Sequence, residues 1–329
     1  LSVTQYVEGI QAGDRIVLAK AITLVESSRA NDRDLAQEVV ESFLASSGDS
    51  IRVGITGVPG AGKSTLIEAL GRHIITDYGE KVAVLAVDPT SQIGGGSILG
   101  DKTRMNFLTC SEMAFVRPSP TRGVLGGVGK HTREAIVLCE AAGYRNVFVE
   151  TVGVGQSETA VRDMVDFFLL VGIAGAGDDL QGMKRGIMEM VDAFVVNKAD
   201  GDNVRAAERA CADAEVALHF FSARGPGPGP SAILCSARTG LGIKQIWATI
   251  RDHHNRASGN GLLEELRREQ RSRWFEDSVE EGLMQLFLSN QLVNARKQQL
   301  EQQVREGEIT AVGAAHKLLS LVRSTYDDK

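Results

Sequence analysis

The sequence predicts an α/β protein with a mostly parallel central sheet covered by helices on both faces, and three observations carry this. Short β-branched runs recur at 51–56, 82–87, 113–116, 147–150, 167–172, 193–196 and 233–235. Most intervals between them hold helix-like segments, at 64–76, 129–143, 157–165, 179–190 and 203–217. The runs are apolar on both faces, the pattern of strands buried on two sides rather than one. Ligands of such sheets gather at the carboxyl ends of the strands, and every motif below falls at such an end.

Taken in order, residues 1–46 read as a helical preface, 47–258 as the sheet domain and 259–329 as a helical arm. In the preface Ile10, Ile16, Ala19, Ile22 and Leu24 lie near helical spacing, as do Leu35, Val39, Val40, Phe43 and Leu44. After the strand 51–56 comes Gly57-Val58-Pro59-Gly60-Ala61-Gly62-Lys63-Ser64-Thr65, which fits G-x-x-x-x-G-K-[ST] in its strand–loop–helix setting. The glycines let successive backbone N–H groups turn inward on a di- or triphosphate, and the following helix adds its positive end. Lys63 would reach the β- and γ-phosphates, with the Ser64 hydroxyl a Mg²⁺ ligand.

Mg²⁺ needs further oxygen donors near the γ-phosphate. Asp88 ends the second strand and opens a segment to Asp101 that contains three consecutive glycines, which suits a mobile switch. Glu150 ends the fourth strand and is followed by Thr-Val-Gly153, a variant of D-x-x-G with a glycine amide for the γ-phosphate. Val154 stands where a small GTPase would carry a water-orienting Gln, and Gln156 lies two residues on, so hydrolysis by the chain alone is expected to be slow. The loop 172–185 carries Asp178, Asp179, Gln181 and Lys184 among glycines, and reads equally as a third responsive element or a plain strand-to-helix loop.

Asn197-Lys198-Ala-Asp200 ends the sixth strand. The Asp200 carboxylate would accept from both N1–H and the 2-amino group of guanine, whereas adenine offers neither donor. Lys198 would lie over the base and Asn197 would tie this loop to neighbouring backbone, so the expected ligands are GTP and GDP. Cys235-Ser236-Ala237 ends the next strand, where the Ala237 N–H would donate to guanine O6. Ser222-Ala223-Arg224 has similar letters but leads into a Gly-Pro loop, so Ser236 and Ala237 are preferred. From Leu262 to about Glu306 a polar-rich run reads as one helix, with Trp274, Phe275, Val279, Leu283, Met284, Leu286, Phe287, Leu292 and Val293 clustered along it. A helix of that length outruns one domain, so the run reads either as a broken helix hairpin folded on its own domain or as an arm that buries its apolar face against a second copy, with a last helix near 309–326.

Composition narrows the partners. A net charge of −6 gives no electrostatic reason to expect nucleic acid, and no apolar run reaches membrane-spanning length. Cys110, Cys139, Cys211 and Cys235 are scattered without a C-x-x-C pair, which speaks against zinc or a disulfide framework and for a reducing compartment. That compartment is expected to be a bacterial cytoplasm, with a mitochondrial matrix the alternative. The pair His253-His254 is read as a solvated helix end rather than a metal site.

With these residues in place, the chain resembles the MeaB/ArgK group of P-loop GTPases over nearly its full length. The likeness rests on GVPGAGKST, AVDPTS with the following GGGSILGDKTRM, FVETVGVGQSE, GAGDDLQGMKRGI and VVNKAD. Outside the core it includes GDRIVLAKAITLVES and RWFEDSVEEGL, which are not general GTPase features. The resemblance implies a homodimeric GTPase chaperone that delivers cofactor to, and protects, adenosylcobalamin-dependent methylmalonyl-CoA mutase, with a cobalamin adenosyltransferase as a second candidate partner. It carries over Lys63, Ser64, Asp88, Asp101, Glu150, Asn197, Lys198 and Asp200. The alternatives are a metallochaperone GTPase for another metal or cobalamin enzyme, or an ATP-using kinase linked to amino-acid transport. A nickel-type relative would carry a His tract or paired cysteines, and neither is present. Asp200 stands against ATP, which would leave its carboxylate unpaired at a cost of about 1–3 kcal/mol.

Overall fold

The computed structural model describes residues 1–27, 29–44, 48–88, 105–120, 127–151, 157–175, 185–219 and 229–327. Seven strands form one sheet: β1 (Ile51–Gly57), β2 (Val82–Asp88), β3 (Ala114–Pro120), β4 (Asn146–Thr151), β5 (Phe167–Ile173), β6 (Ala193–Asn197) and β7 (Ser231–Leu234). Their order is β3-β2-β4-β1-β5-β6-β7, and every pair is parallel. All seven coincide with the expected apolar runs. The chain leaves β1 toward one edge and later returns past it toward the other, so β1 sits at the reversal of strand order where such sheets take ligands. Val53, Ile55, Val84, Val147, Phe148, Leu169, Leu170 and Val195 are buried around it, as two covering layers require.

Helices α1 (Val3–Gln11), α2 (Arg15–Val25) and α3 (Ala30–Glu41) form the preface. Ser2 and Gln5 close a capping box at the start of α1, and the Asp14 side chain caps α2 by accepting from Ile16 N and Val17 N. The buried stripe of α2 is Leu18, Ala21, Ile22 and Val25, whereas Ile16 is 67% exposed. The stripe is thus rotated from the expected one, because Ile16 occupies the first turn, whose direction the Asp14 cap sets. Arg117 of edge strand β3 holds α2 through Glu26 at 2.5 Å, Thr23 Oγ1 at 3.1 Å and Ala19 O at 3.4 Å. The preface belongs to the same core as the sheet, with Ile10, Leu18, Ile22 and Phe43 fully buried.

Helix α4 (Lys63–His73) follows β1 and passes into a π-helical turn, Ile74–Tyr78, that ends at Gly79. The remaining α-helices among the described residues are α5 (Asn106–Cys110), α6 (Gly127–Ala141), α7 (Ser157–Arg162), α8 (Arg185–Met188), α9 (Val204–His219), α10 (Ile243–Gly259), α11 (Leu262–Ser289), α12 (Gln291–Arg305) and α13 (Ala311–Asp327), and a short 3-10 helix spans Gly201–Asn203. His253 and His254 lie within α10 and are half-buried, not at a solvated end; the His253 ring meets Phe167 edge-on at 5.2 Å. Burial holds both imidazoles below their ordinary pKa.

The chain divides into two compact units, Leu1–Gln270 and Arg271–Lys329. The run expected as one helix from Leu262 to about Glu306 is broken at Asn290. Its side chain accepts from Leu292 N at 3.0 Å and Val293 N at 3.4 Å, which starts a new helix. Within the first unit, the opening turns of α11 are fastened beneath the sheet. Arg267 donates to Asp166 Oδ1 at 2.9 Å, to Asp166 Oδ2 at 2.6 Å, to Ser50 O at 2.6 Å and to Gly48 O. Gln270 donates to Val165 O at 2.8 Å. In the second unit α12 and α13 pack together, burying Val293, Leu300 and Ala314. Phe275, Val279, Leu283 and Leu286 follow one helical face of α11 and are 69%, 43%, 61% and 72% exposed.

Candidate nucleotide site

The site is built where β1, β4, β6 and the turn after β7 end side by side. Gly57 closes β1 at φ 150°, and a Cβ there would stand 2.1 Å from Val171 O, so only glycine lets the loop leave the sheet. Val58, Pro59, Gly60 and Ala61 carry the loop round to Gly62, which precedes α4 in the left-handed region at φ 86°. Lys63 is only 8% exposed, and its Nζ donates to Gly57 O at 2.9 Å and Val58 O at 3.4 Å, so the loop wraps its own lysine. Thr65 continues α4 into a groove that it lines with Glu68, Arg72 and the Ala237–Gly240 turn.

Beside the loop, Ser64 Oγ donates to Glu150 Oε1 at 3.0 Å, with both side chains buried. The parallel register that pairs Ile55 with Glu150 puts this carboxylate level with the end of β1. A hydroxyl and a carboxylate converging in this way are hard oxygen donors, which fits Mg²⁺. Asp88 is the last residue of β2, one step past the pair Val87–Thr151. Glu68 of α4 accepts from Phe107 N at 2.7 Å and Leu108 N at 3.1 Å, fastening α5 where the chain returns from the Asp88–Asp101 segment. Asp101, Gly153, Val154, Gln156, Asp178, Gln181 and Lys184 lie outside the described residues, as does Ser222-Ala223-Arg224.

At the end of β6, Asn197 is 2% exposed and bridges two loops. Its Nδ2 donates to Ala61 O at 2.8 Å and its Oδ1 accepts from Ala237 N at 3.1 Å. The Ala237 N–H, expected at guanine O6, is therefore directed at Asn197 here. Lys198 is exposed at φ 62°, and is the one non-glycine residue with positive φ among the described residues. Asn203 Nδ2 steadies it by donating to Lys198 O at 2.8 Å. The fully buried Ser236 donates through Oγ to Asp200 Oδ2 at 2.5 Å while accepting from Thr239 N at 3.2 Å, which orients the carboxylate. Cys235, behind the turn, has its thiol pushed up to about 12 by burial, so it stays protonated.

The structure brings together the phosphate loop, Glu150, Asn197, Asp200, Ser236 and Ala237. Sequence reasoning missed Glu68 and the buried hydroxyls Thr56 and Thr151, whose only signal was a threonine at the end of two apolar strands.

A model of the family described as methylmalonyl Co-A mutase-associated GTPase MeaB matches residues 18–292. The chain belongs to the MeaB family. Among its relatives, GTPase ArgK of Escherichia coli is 41% identical, over 99% of this chain and 98% of its own. The Mus musculus protein named methylmalonic aciduria type A homolog, mitochondrial, is 42% identical, over 97% of this chain and 79% of its own. A solved structure described as LAO/AO transport system kinase superposes with TM-score 0.75 at 35% identity, covering 98% of this chain and 97% of that one. This MeaB-family chain is a GTPase with a P-loop α/β fold. Among its described residues no helix is long and apolar enough to cross a membrane.

Proposed function

We propose that this GTPase is a chaperone of adenosylcobalamin-dependent methylmalonyl-CoA mutase, coupling GTP hydrolysis to cofactor delivery and to protection of that enzyme. The partner is supported by the family's description and by the name of the mouse relative. The observation that carries the switch is Asn197, which joins the phosphate loop at Ala61 to the base-reading turn at Ala237. Lys63 binds the β- and γ-phosphates, and Asp200 reads guanine while Ser236 holds it. Reading O6 requires the Ala237 N–H to turn from Asn197 toward the base. Ser64, Glu150, Asp88 and Asp101 would hold Mg²⁺, which when bound neutralises charge between the β- and γ-phosphates. Gly153 supplies an amide to the γ-phosphate, and Val154 supplies nothing that orients water. The segment around Asp178, Gln181 and Lys184 meets the partner, which completes the site. By linkage the nucleotide state alters mutase affinity in return. A cobalamin adenosyltransferase, as donor of the cofactor, would join the same cycle.

GTP turnover is the test, measured with and without purified mutase for the parent and for Asp178→Ala and Lys184→Ala. The mutase should speed the parent, and the variants should lose that stimulation while keeping basal turnover. A parent that no mutase stimulates would reject this partner, and equal stimulation of all three would remove the loop from the mechanism.

The reading includes a homodimer formed through residues 271–329. Phe275, Val279, Leu283 and Leu286 make one continuous exposed apolar face, which a single chain leaves in water. Arg267 and Gln270 belong to the sheet unit, so a truncation should keep them. The intact chain should scatter light at twice the monomer mass, and a chain ending at Gln270 at the monomer mass with GTP affinity retained. A monomeric intact chain would sink the dimer.

A further inference from the structure

Glu150 and Thr151 end β4 with their side chains on opposite faces of the sheet. Both reach toward the phosphate loop: Glu150 takes Ser64, and Thr151 Oγ1 donates to Thr56 Oγ1 at 2.8 Å. Thr56 is the last residue before Gly57, and Thr151 the last described residue before Gly153. Both threonines are fully buried. Their strand partners on the outer sides are apolar, with Val87 beside Thr151 and Leu170 beside Thr56. Valine has the same shape, so packing alone does not call for hydroxyls here. A buried hydroxyl costs free energy unless it is bonded, and two are retained. What the pair adds, and two valines would lack, is a directional tie between the root of the phosphate loop and the root of the Gly153 segment.

We infer that Thr151, paired with Thr56, is a positioning residue for GTP hydrolysis. The tie fixes the point at which β4 ends beside β1, and so the position from which Glu150, bonded to Ser64, meets the γ-phosphate end. The phosphate loop itself is shaped by Gly57, Gly62 and Lys63 and does not depend on the tie. Loss of the tie therefore acts on turnover and spares the binding of GDP, which has no γ-phosphate. The inference rests on the GTPase activity and on the proposed place of Glu150 at the γ-phosphate end, and not on the mutase.

The experiment compares T151V, T56V, T151S and the T56V/T151V pair with the parent, in single-turnover GTP hydrolysis and in GDP titrations. T151V should hydrolyse GTP about tenfold more slowly, the scale on which misplaced catalytic geometry is felt. Its KM for GTP and its GDP affinity should stay within about twofold of the parent, since that part of the site is untouched. T151S keeps the hydroxyl and should restore the rate, while the double variant should be no slower than either single one. T56V removes the same bond from the other strand and must reproduce the loss, which keeps the test open if T151V folds poorly. A parental rate in T151V or T56V would overturn the inference. So would a slow T151V whose GDP affinity falls in parallel and which T151S does not rescue, because that pattern belongs to core packing.

Discussion

Replacing Asp200 with Asn should weaken GTP binding by a hundredfold or more and turn the site toward xanthosine nucleotides. The carboxylate is oriented by Ser236 Oγ at 2.5 Å, and in the proposed reading its acceptors meet two guanine donors. Hydrogen bonds to a charged group contribute about 1.5–3 kcal/mol each, so losing both reaches that scale. An Asn amide donates to the 2-oxo group of xanthine, which the carboxylate repels. Ser236 still finds an oxygen acceptor in Asn, so the turn should keep its shape. Competition titrations with GTP, XTP and ATP measure the effect. An Asp200→Asn protein that binds GTP like the parent would remove Asp200 from base reading. A parent that binds ATP as tightly as GTP would favour an ATP-using kinase instead.

Replacing Arg267 with Ala should cost the sheet unit about 3–5 kcal/mol, the range for breaking a buried ion pair from one side. Asp166 is 1% exposed and among the described residues would keep only the Arg52 N–H at 2.9 Å, while Gly48 O and Ser50 O would lose the Arg267 donor. Burial works to lower the Arg267 pKa, and the Asp166 hydrogen bond and charge outweigh it, so the guanidinium stays charged. Lys at this position should not rescue, since one ammonium cannot serve both carboxylate oxygens and two carbonyls in the guanidinium's planar pattern. Urea unfolding followed by the fluorescence of buried Trp247, with Trp274 changed to Phe, reads this unit alone. A shift below about 1 kcal/mol would show that the network does not fasten α11 to the sheet.

Much of the fold was legible because its signals are local. A strand shows as a run of β-branched residues, and a phosphate loop needs eight consecutive residues whose spacing states its purpose. The stretches 197–200 and 235–237 were legible as two short motifs at strand ends, and the structure joins them through Asn197 and Ser236. The α2 stripe and the C-terminal run were misread for local reasons as well: the Asp14 cap turned one helix, and the Asn290 cap divided the other. Asn290 was a readable N-cap signal within a polar-rich run read as one continuous helix.

The strand runs, the phosphate loop and the Asp200 motif can be read along the chain, because each lies in one short contiguous stretch. Only the tertiary structure decided which oxygens meet. Ser64 and Glu150 are 86 residues apart, Thr56 and Thr151 95, and Arg267 and Asp166 101. Their meeting follows from strand register and from where α11 begins, and a one-residue change of register would exchange the faces on which Glu150 and Thr151 lie. Glu150 and Thr151 are ordinary strand-end residues in the sequence. They acquire partners only when β4 lies beside β1, and that adjacency belongs to the order of strands in the sheet rather than to any stretch of chain.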